Sequence, residues 1–462
     1  MPIGGRREAD PARAALASRW RHHRAGAECD GSAPLSVVTR EIGPPSLGAA
    51  APGTVRPLLG RRRAVSLSAL LLVLELAGFL FFVAGTHGLI VPLAKPTSTD
   101  FVSFYAAGRL ADAGTPALAY NKSAHYAAEE RATQPGISYN FFYYPPVFLL
   151  VCAALARLPY LAAFVTFEAA TLTLYIPVML RILGRRGWAA LVPLLAFPPV
   201  LWTVGFGQNG FLTAGLFGAA TLLIDRRPLL AGSLFGALCC KPHLALLVPV
   251  ALVSGRRWRA FIAAGASAIG CCLLSLAVFG PTTWRAFLTA IAASPAVYVS
   301  GKISFDGFVT PFGAARLLGA APSVAYAVQA GATLAAAGFV AWVWSRNRPL
   351  PLRAASLAAA TLIAVPLALF YDLLLAGVAA AWLLRSDGKC RLPEWGGMVL
   401  AALYVLSLNP RGIAAASHLP IGPLIPAALV ALVAAMAVRD RTTSTTGASA
   451  SSVPRRLAEI RG

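Results

Sequence analysis

The chain has 462 residues, of which 57% are hydrophobic and 13% charged, with a mean hydropathy of +0.67. So much apolar surface excludes an ordinary soluble domain and leaves an all-α polytopic membrane protein, with room for roughly 9–13 transmembrane or half-membrane helices at about 20 residues per crossing. The net charge of +22 does not indicate nucleic acid, because the arginines are dispersed over a tail and many short links instead of forming one basic face.

Residues 1–63 are rich in Arg, Ala, Gly and Pro and read as a disordered basic cytoplasmic tail. A start codon set too far upstream would produce the same tail. The first apolar run begins only after Arg63 and is too long for the core of a cleavable signal, so none is expected. Residues 64–438 form the membrane domain, and 439–462 read as a disordered C-terminal tail. The seven cysteines include two adjacent pairs within apolar runs and no C-x-x-C spacing, so small buried side chains explain them better than redox or metal chemistry.

Basic clusters stay on the cytoplasmic side of membrane proteins. Placing Arg61–Arg63, Arg181–Arg186, Arg226-Arg227, Arg256-Arg257, Arg346 with Arg348, and Arg439 there fixes a threading with both termini cytoplasmic. Segment 65–94 then crosses outward, and 95–142 becomes the first external loop. Residues 188–206 and 209–224 go out and back, with Gln208 at the outer turn. Residues 258–280 and 323–345 flank a second external loop over 281–322, and 395–408 with 420–438 form the last pair.

Three stretches resist simple crossings. Fewer than 30 residues separate Arg227 from Arg256, with Lys241-Pro242-His243 at the middle. Two helices of about 13 residues reach only about 20 Å, too little for two full spans of a 30 Å core. A broken hairpin with its tip toward the outer side fits, provided that protein or a cavity covers the backbone freed by Pro242. Residues 353–385 repeat the pattern around Pro366 and Tyr371-Asp372, and 145–183 divide at Arg157–Pro159 into a short Pro-led helix and one full crossing. The threading brings Asp100, Gln208, Lys241 and Asp372 toward one face.

Ionisable groups within apolar sequence are functional candidates by default. Asp100 opens the polar loop and is either the N-cap of the helix beginning at Phe101 or a general base for an acceptor hydroxyl. Lys241 needs an anionic partner, a structural carboxylate or a ligand phosphate, and the opened backbone at Pro242 favours the ligand. His243 reads as its hydrogen-bonded neighbour. Gln208-Asn209, between two glycines, is a polar turn or a pair of amides for sugar hydroxyls. Asp372 is a counter-ion or part of the site, and Arg109 either snorkels or binds a phosphate. Nucleotide-binding P-loops, zinc-protease H-E-x-x-H pairs and hydrolase elbows are missing from the sequence.

Asp100-Phe101 with Phe104-Tyr105-Ala106-Ala107-Gly108, then Ala119-Tyr120-Asn121, Tyr144-Pro145-Pro146, Phe206-Gly207-Gln208-Asn209, Ala231–Gly236 leading to Lys241-Pro242-His243, Phe279-Gly280 before Trp284-Arg285, and Tyr371-Asp372-Leu373 occur in this order. Each is common alone; seven in register are not. Together they resemble glycosyltransferase family 87 of the C-type glycosyltransferase superfamily, over roughly residues 65–390. Two positions depart from the family pattern: Asn209 stands where Val or another residue usually follows Gly-Gln, and His243 where Gln usually follows Lys-Pro.

The resemblance implies a C-type glycosyltransferase-like helical bundle with amphipathic helices in its external loops. It further implies transfer of a hexose, typically mannose, from a polyprenyl-phosphate carrier to a lipid or glycan acceptor at the outer face of the cytoplasmic membrane. Asp100 matches the family's catalytic base. Lys241, with Arg109 or His243, would stabilise the leaving phosphate, while Tyr105, Tyr144 and Gln208 would shape the sugar pocket. A phosphate monoester leaves with less charge than a nucleoside diphosphate, so no divalent metal or other cofactor is required. The competing readings are another lipid-linked sugar polymerase or ligase, which would carry a larger Arg- and His-rich external loop, and a transporter or flippase, which would show internal repeats.

Overall fold

The computed structural model describes residues 61–84, 99–301, 303–346, 348–385 and 392–450. The tail up to residue 60, the link 85–98 and the end beyond 450 lie outside them, so the expectations for those stretches rest on sequence alone. Among the described residues the chain forms eighteen α-helices joined by short 3-10 turns. The one extended pairing among these residues is an isolated antiparallel bridge between Phe308 and Leu369.

Five helices are long and apolar enough to cross a bilayer: Arg62–Leu80, Tyr160–Leu183, Trp258–Val299, Pro322–Ser345 and Ile421–Arg439. Two more spans are bent pairs, Trp188–Leu195 with Pro198–Phe206 at 54° and Gly396–Leu406 with Pro410–Ser417 at 74°. Six shorter apolar helices bring the set to the upper end of the expected range. The protein is an all-α polytopic membrane protein.

Each stretch that resisted simple crossing is broken where the sequence predicts. Pro146–Leu155 precedes Tyr160–Leu183. Pro228–Ala237 leads through two 3-10 turns to Val248–Ser254, and the backbone leaves helical geometry at Lys241, with φ −139° and ψ 68°. Leu350–Ala364 and Leu374–Leu384 flank a break that holds Tyr371-Asp372. This last pair is the centre of the molecule: Ala354, Ala355, Ala358, Ala359, Ala360 and Ala379 are all but fully buried, and such small side chains let helix backbones approach closely. The hairpin uses the same device, since a Cβ at Gly232 or Gly236 would strike the Ala260 or Ala264 carbonyl of the Trp258–Val299 helix. Ile262, Ile269, Leu273 and Val278 on that helix remain exposed, as lipid-facing residues should.

Both sequence-predicted loops are largely helical. The first holds Phe101–Asp112 and Lys122–Ala132, and Phe101–Gly108 is buried on all sides. The second begins as a continuation of the Trp258–Val299 helix, broken at Gly280 by φ 75° and ψ 168°. Pro281 restarts the helix because its missing N–H costs nothing in a first turn. At the C-terminus Ile421–Ala450 continues past residue 439, where the sequence places the start of the tail.

The arginine-bearing links meet at one end of the bundle. Asp225 binds Arg257 at 2.7 Å and Arg353 at 2.6 Å, clasping three links that are distant in sequence. Nearby, Trp382 Nε1 donates to Thr221 Oγ1 at 3.1 Å, and Arg385 donates to the Arg181 carbonyl at 3.2 Å. The broken tips converge elsewhere, on the start of the Phe101–Asp112 helix.

Candidate active site

Asp100 occupies the N-cap position of Phe101–Asp112, but its side chain makes no capping bond and its backbone is already helical. Instead, Asp100 Oδ2 accepts a hydrogen bond from Gln208 Nε2 at 2.7 Å. Tyr144 in turn donates its hydroxyl to Gln208 Oε1 at 3.1 Å. This chain fixes the amide's orientation, because a tyrosine proton needs an acceptor and a carboxylate needs a donor.

The Gln208 turn can approach so closely because Gly207 precedes it. Gly207 has φ 65°, and a Cβ there would sit 2.5 Å from Phe101 Cβ. Asn209, next in the turn, is fully buried and accepts from Lys241 Nζ through Oδ1 at 3.2 Å. Adjacent amides of one turn thus hold the two groups expected to do chemistry.

Lys241 and Asp372 form an ion pair of 2.6 Å, with side chains only 5% and 3% exposed. Asp372 Oδ2 also accepts from the Leu369 backbone N–H at 3.0 Å, and the Tyr371 ring lies 5.4 Å from Lys241 Nζ. The sequence reading favoured a ligand as the partner of Lys241; the structure supplies a carboxylate, and Asp372 is its counter-ion.

Asp100, Tyr144, Gln208, Lys241, His243 and Asp372 line one cavity of about 470 Å³. Asn209 sits behind the cavity wall, and two further sequence candidates lie elsewhere. Tyr105 turns its hydroxyl to the Leu158 carbonyl at 3.0 Å, and exposed Arg109 reaches the Ala156 carbonyl at 3.3 Å. Both sit on the Phe101–Asp112 helix, but on the side packed toward the end of Pro146–Leu155. Arg411, which the sequence reading left without a role, lines the cavity and pairs with Asp306 at 3.3 Å. Its one available signal was its placement in the threading, where it is an arginine on the outer side, against the charge rule.

Burial raises the Asp100 carboxyl above its ordinary range. The Gln208 bond opposes this, as do the positive charges of Arg411 and Lys241. Behind the cavity, His125 and Glu129 are fully buried. His125 Nε2 is 3.0 Å from the Ser103 carbonyl, which can only accept, so Nδ1 carries the lone pair facing Glu129 Oε1 at 3.6 Å. That arrangement suits a protonated carboxyl, and burial lifts Glu129 to about 8 although the Asn140 N–H donates to it. Burial likewise lowers His125 to about 4, keeping the ring neutral.

A half-buried carboxylate oriented by an amide, facing two cations in a cavity lined by aromatic rings, can take a proton from a hydroxyl while anionic groups are held nearby. With the helical membrane fold, this is a cavity of an integral membrane protein that is equipped for proton abstraction beside bound anions. Residues 142–369, just under half of the chain, match the model of glycosyltransferase family 87, and the match marks the protein as a glycosyltransferase. Asp372 falls just outside the matched segment and Asp100 and Arg411 well outside it, although all three share its cavity. No curated protein and no solved structure matches the chain.

Proposed function

We propose that the protein is an inverting hexosyltransferase that moves a hexose, mannose being the family's usual one, from a polyprenyl-phosphate carrier to a lipid or glycan acceptor. The reaction takes place at the outer face of the cytoplasmic membrane. The observation that carries this reading is the Asp100 carboxylate, free of any capping bond and held at the cavity wall by Gln208.

In the reaction the acceptor oxygen attacks the anomeric carbon while Asp100 takes the hydroxyl proton. The bond from that carbon to the carrier's phosphate oxygen breaks, and its electron pair leaves with the polyprenyl phosphate. One displacement inverts the anomeric centre. The leaving group gains a second negative charge, which positive charge lining the cavity stabilises once the donor is bound. Gln208 is engaged by Asp100 and Tyr144, and Asn209 gives its carbonyl oxygen to Lys241, so in this reading both amides position charges and do not bind sugar hydroxyls. The aromatic residues Phe141, Tyr143, Tyr144 and Tyr371 supply the walls for the sugar.

The deciding experiment incubates purified protein with a panel of polyprenyl-phosphate sugars and follows donor consumption by mass spectrometry. Consumption of a hexose donor with release of polyprenyl phosphate is expected. Turnover of nucleotide sugars alone would overturn the reading.

A further inference from the structure

The cavity contains two cations in different circumstances. Lys241 is committed: its charge is cancelled at 2.6 Å by Asp372 and a second proton goes to Asn209. Drawing the ammonium toward a ligand would leave Asp372 buried without its partner, which is costly. Arg411 is not committed in this way. Its side chain is 48% exposed, and its contact with Asp306 runs through Nε, on the inner edge of the guanidinium. Among the described residues both terminal nitrogens remain for a ligand, and paired N–H groups of this kind match two oxygens of a phosphate.

The backbone beneath Arg411 is rigid. Arg411 lies in the first turn of Pro410–Ser417, capped by Asn409, whose side chain accepts from the Gly412 N–H at 2.9 Å. The 74° bend before this helix turns it over the cavity. Trp202 holds the bend by donating Nε1 to the Leu408 carbonyl at 3.1 Å. The same indole packs edge-on against Phe370 at 5.6 Å, two residues before Asp372. Arg411 is thus referenced to the Lys241–Asp372 pair through one tryptophan, the precision that a ligand-gripping side chain requires.

We propose that Arg411 grips the phosphodiester of the lipid-linked donor, exchanging its contact with Asp306 for the phosphate oxygens when donor enters. The proposal rests on the transferase reading given above. Asp306 is a positioning residue that holds the guanidinium over the cavity and competes with the phosphate for it.

The test measures binding of three lipids in nanodiscs: a polyprenyl-phosphate hexose, polyprenyl phosphate and the uncharged polyprenol. Arg411→Gln should weaken both phosphorylated lipids by about 10- to 100-fold, the worth of a charge-assisted bond, and leave polyprenol binding and thermal unfolding unchanged. Asp306→Asn should tighten the phosphorylated lipids about 2- to 5-fold, because a competing carboxylate is worth only a modest surface pair. Equal loss for all three lipids would make Arg411 a structural residue. A raised acceptor KM with unchanged donor affinity would assign the guanidinium to the acceptor; either result overturns the proposal, as does weaker phosphate binding in Asp306→Asn. Wild-type protein that binds no phosphorylated polyprenyl lipid would sink the donor reading itself, a different failure from wild-type binding with an unaffected Arg411→Gln variant.

Discussion

Gln208 Nε2 stands 2.7 Å from Asp100 Oδ2, across 108 residues of chain, and this bond stabilises the ionised carboxylate against the cost of its burial. A hydrogen bond to the charged form lowers a carboxyl pKa. Gln208→Leu removes it, so the acid limb of the rate profile should move to higher pH. Turnover well above the limb should change about tenfold or less, as expected when one positioning contact to a charge is lost. A pH–kcat profile decides the matter, and a limb that stays in place would leave Gln208 no part in setting the base.

Asp100→Asn keeps the side chain's shape and removes the proton acceptor. Turnover should fall about 10²- to 10⁴-fold, the usual cost of losing a general base, with donor affinity preserved. In the unaltered protein, activity requires the ionised form and therefore declines as pH falls through a pKa above the ordinary 3.8. Near-normal turnover in the Asn variant would move the base to another residue.

Removing one partner of a buried pair costs about 3–5 kcal/mol, whereas replacing both with apolar groups is often close to neutral. Lys241→Met should therefore lower the thermal midpoint sharply in detergent, as should Asp372→Leu. The double variant should recover most of the loss. Additive losses across the double-mutant cycle would contradict a direct pair.

Glu129 bears on stability instead of catalysis. Its folded pKa of about 8 exceeds the ordinary 4.5, so the folded state holds a proton that the unfolded chain releases between those values. Its contribution to stability is full below pH 4.5 and is lost as pH rises toward 8. Glu129→Gln keeps the acceptor for the Asn140 N–H and can donate to His125 Nδ1 at any pH. Unfolding temperatures of variant and parent should separate as pH increases, with the variant higher; parallel curves would mean that Glu129 is ionised in the fold.

Orientation in the membrane is open to cysteine labelling in intact cells. A cysteine at Arg157, whose side chain is 75% exposed beside the Asp112 end of the Asp100 helix, should react with impermeant reagents. One at exposed Arg226 should react only after permeabilisation. The reverse pattern would place the cavity on the cytoplasmic side.

The sequence disclosed where chain breaks fall, because a basic residue at each end and a proline between them leave too few residues for two spans. Hence the Lys241 hairpin and the Asp372 break, and with them the meeting of Asp100, Gln208, Lys241 and Asp372, were readable. Pairing was not. Nothing in Lys241-Pro242-His243 distinguishes a phosphate partner from Asp372, since both satisfy an ammonium equally and the choice depends on how two distant tips dock. Tyr105 and Arg109 sit within a family-like motif on the Asp100 helix, yet helix rotation carries them off the cavity, and motif proximity does not encode rotation. Arg411 escaped notice because a single arginine in a short link looks like any other until the 74° bend beneath it is seen.

The Lys241–Asp372 pair spans 131 residues, and that separation is also a delay. At about 5–20 residues per second a ribosome needs roughly 7–26 s to deliver Asp372 after Lys241 has emerged. A full span with the ammonium at its centre would have to enter lipid unneutralised for all that time. The short broken hairpin avoids this, because its tip can wait in interfacial water until its carboxylate is synthesised. The shape that opens the cavity thus also lets the newborn chain insert in the order in which it is made.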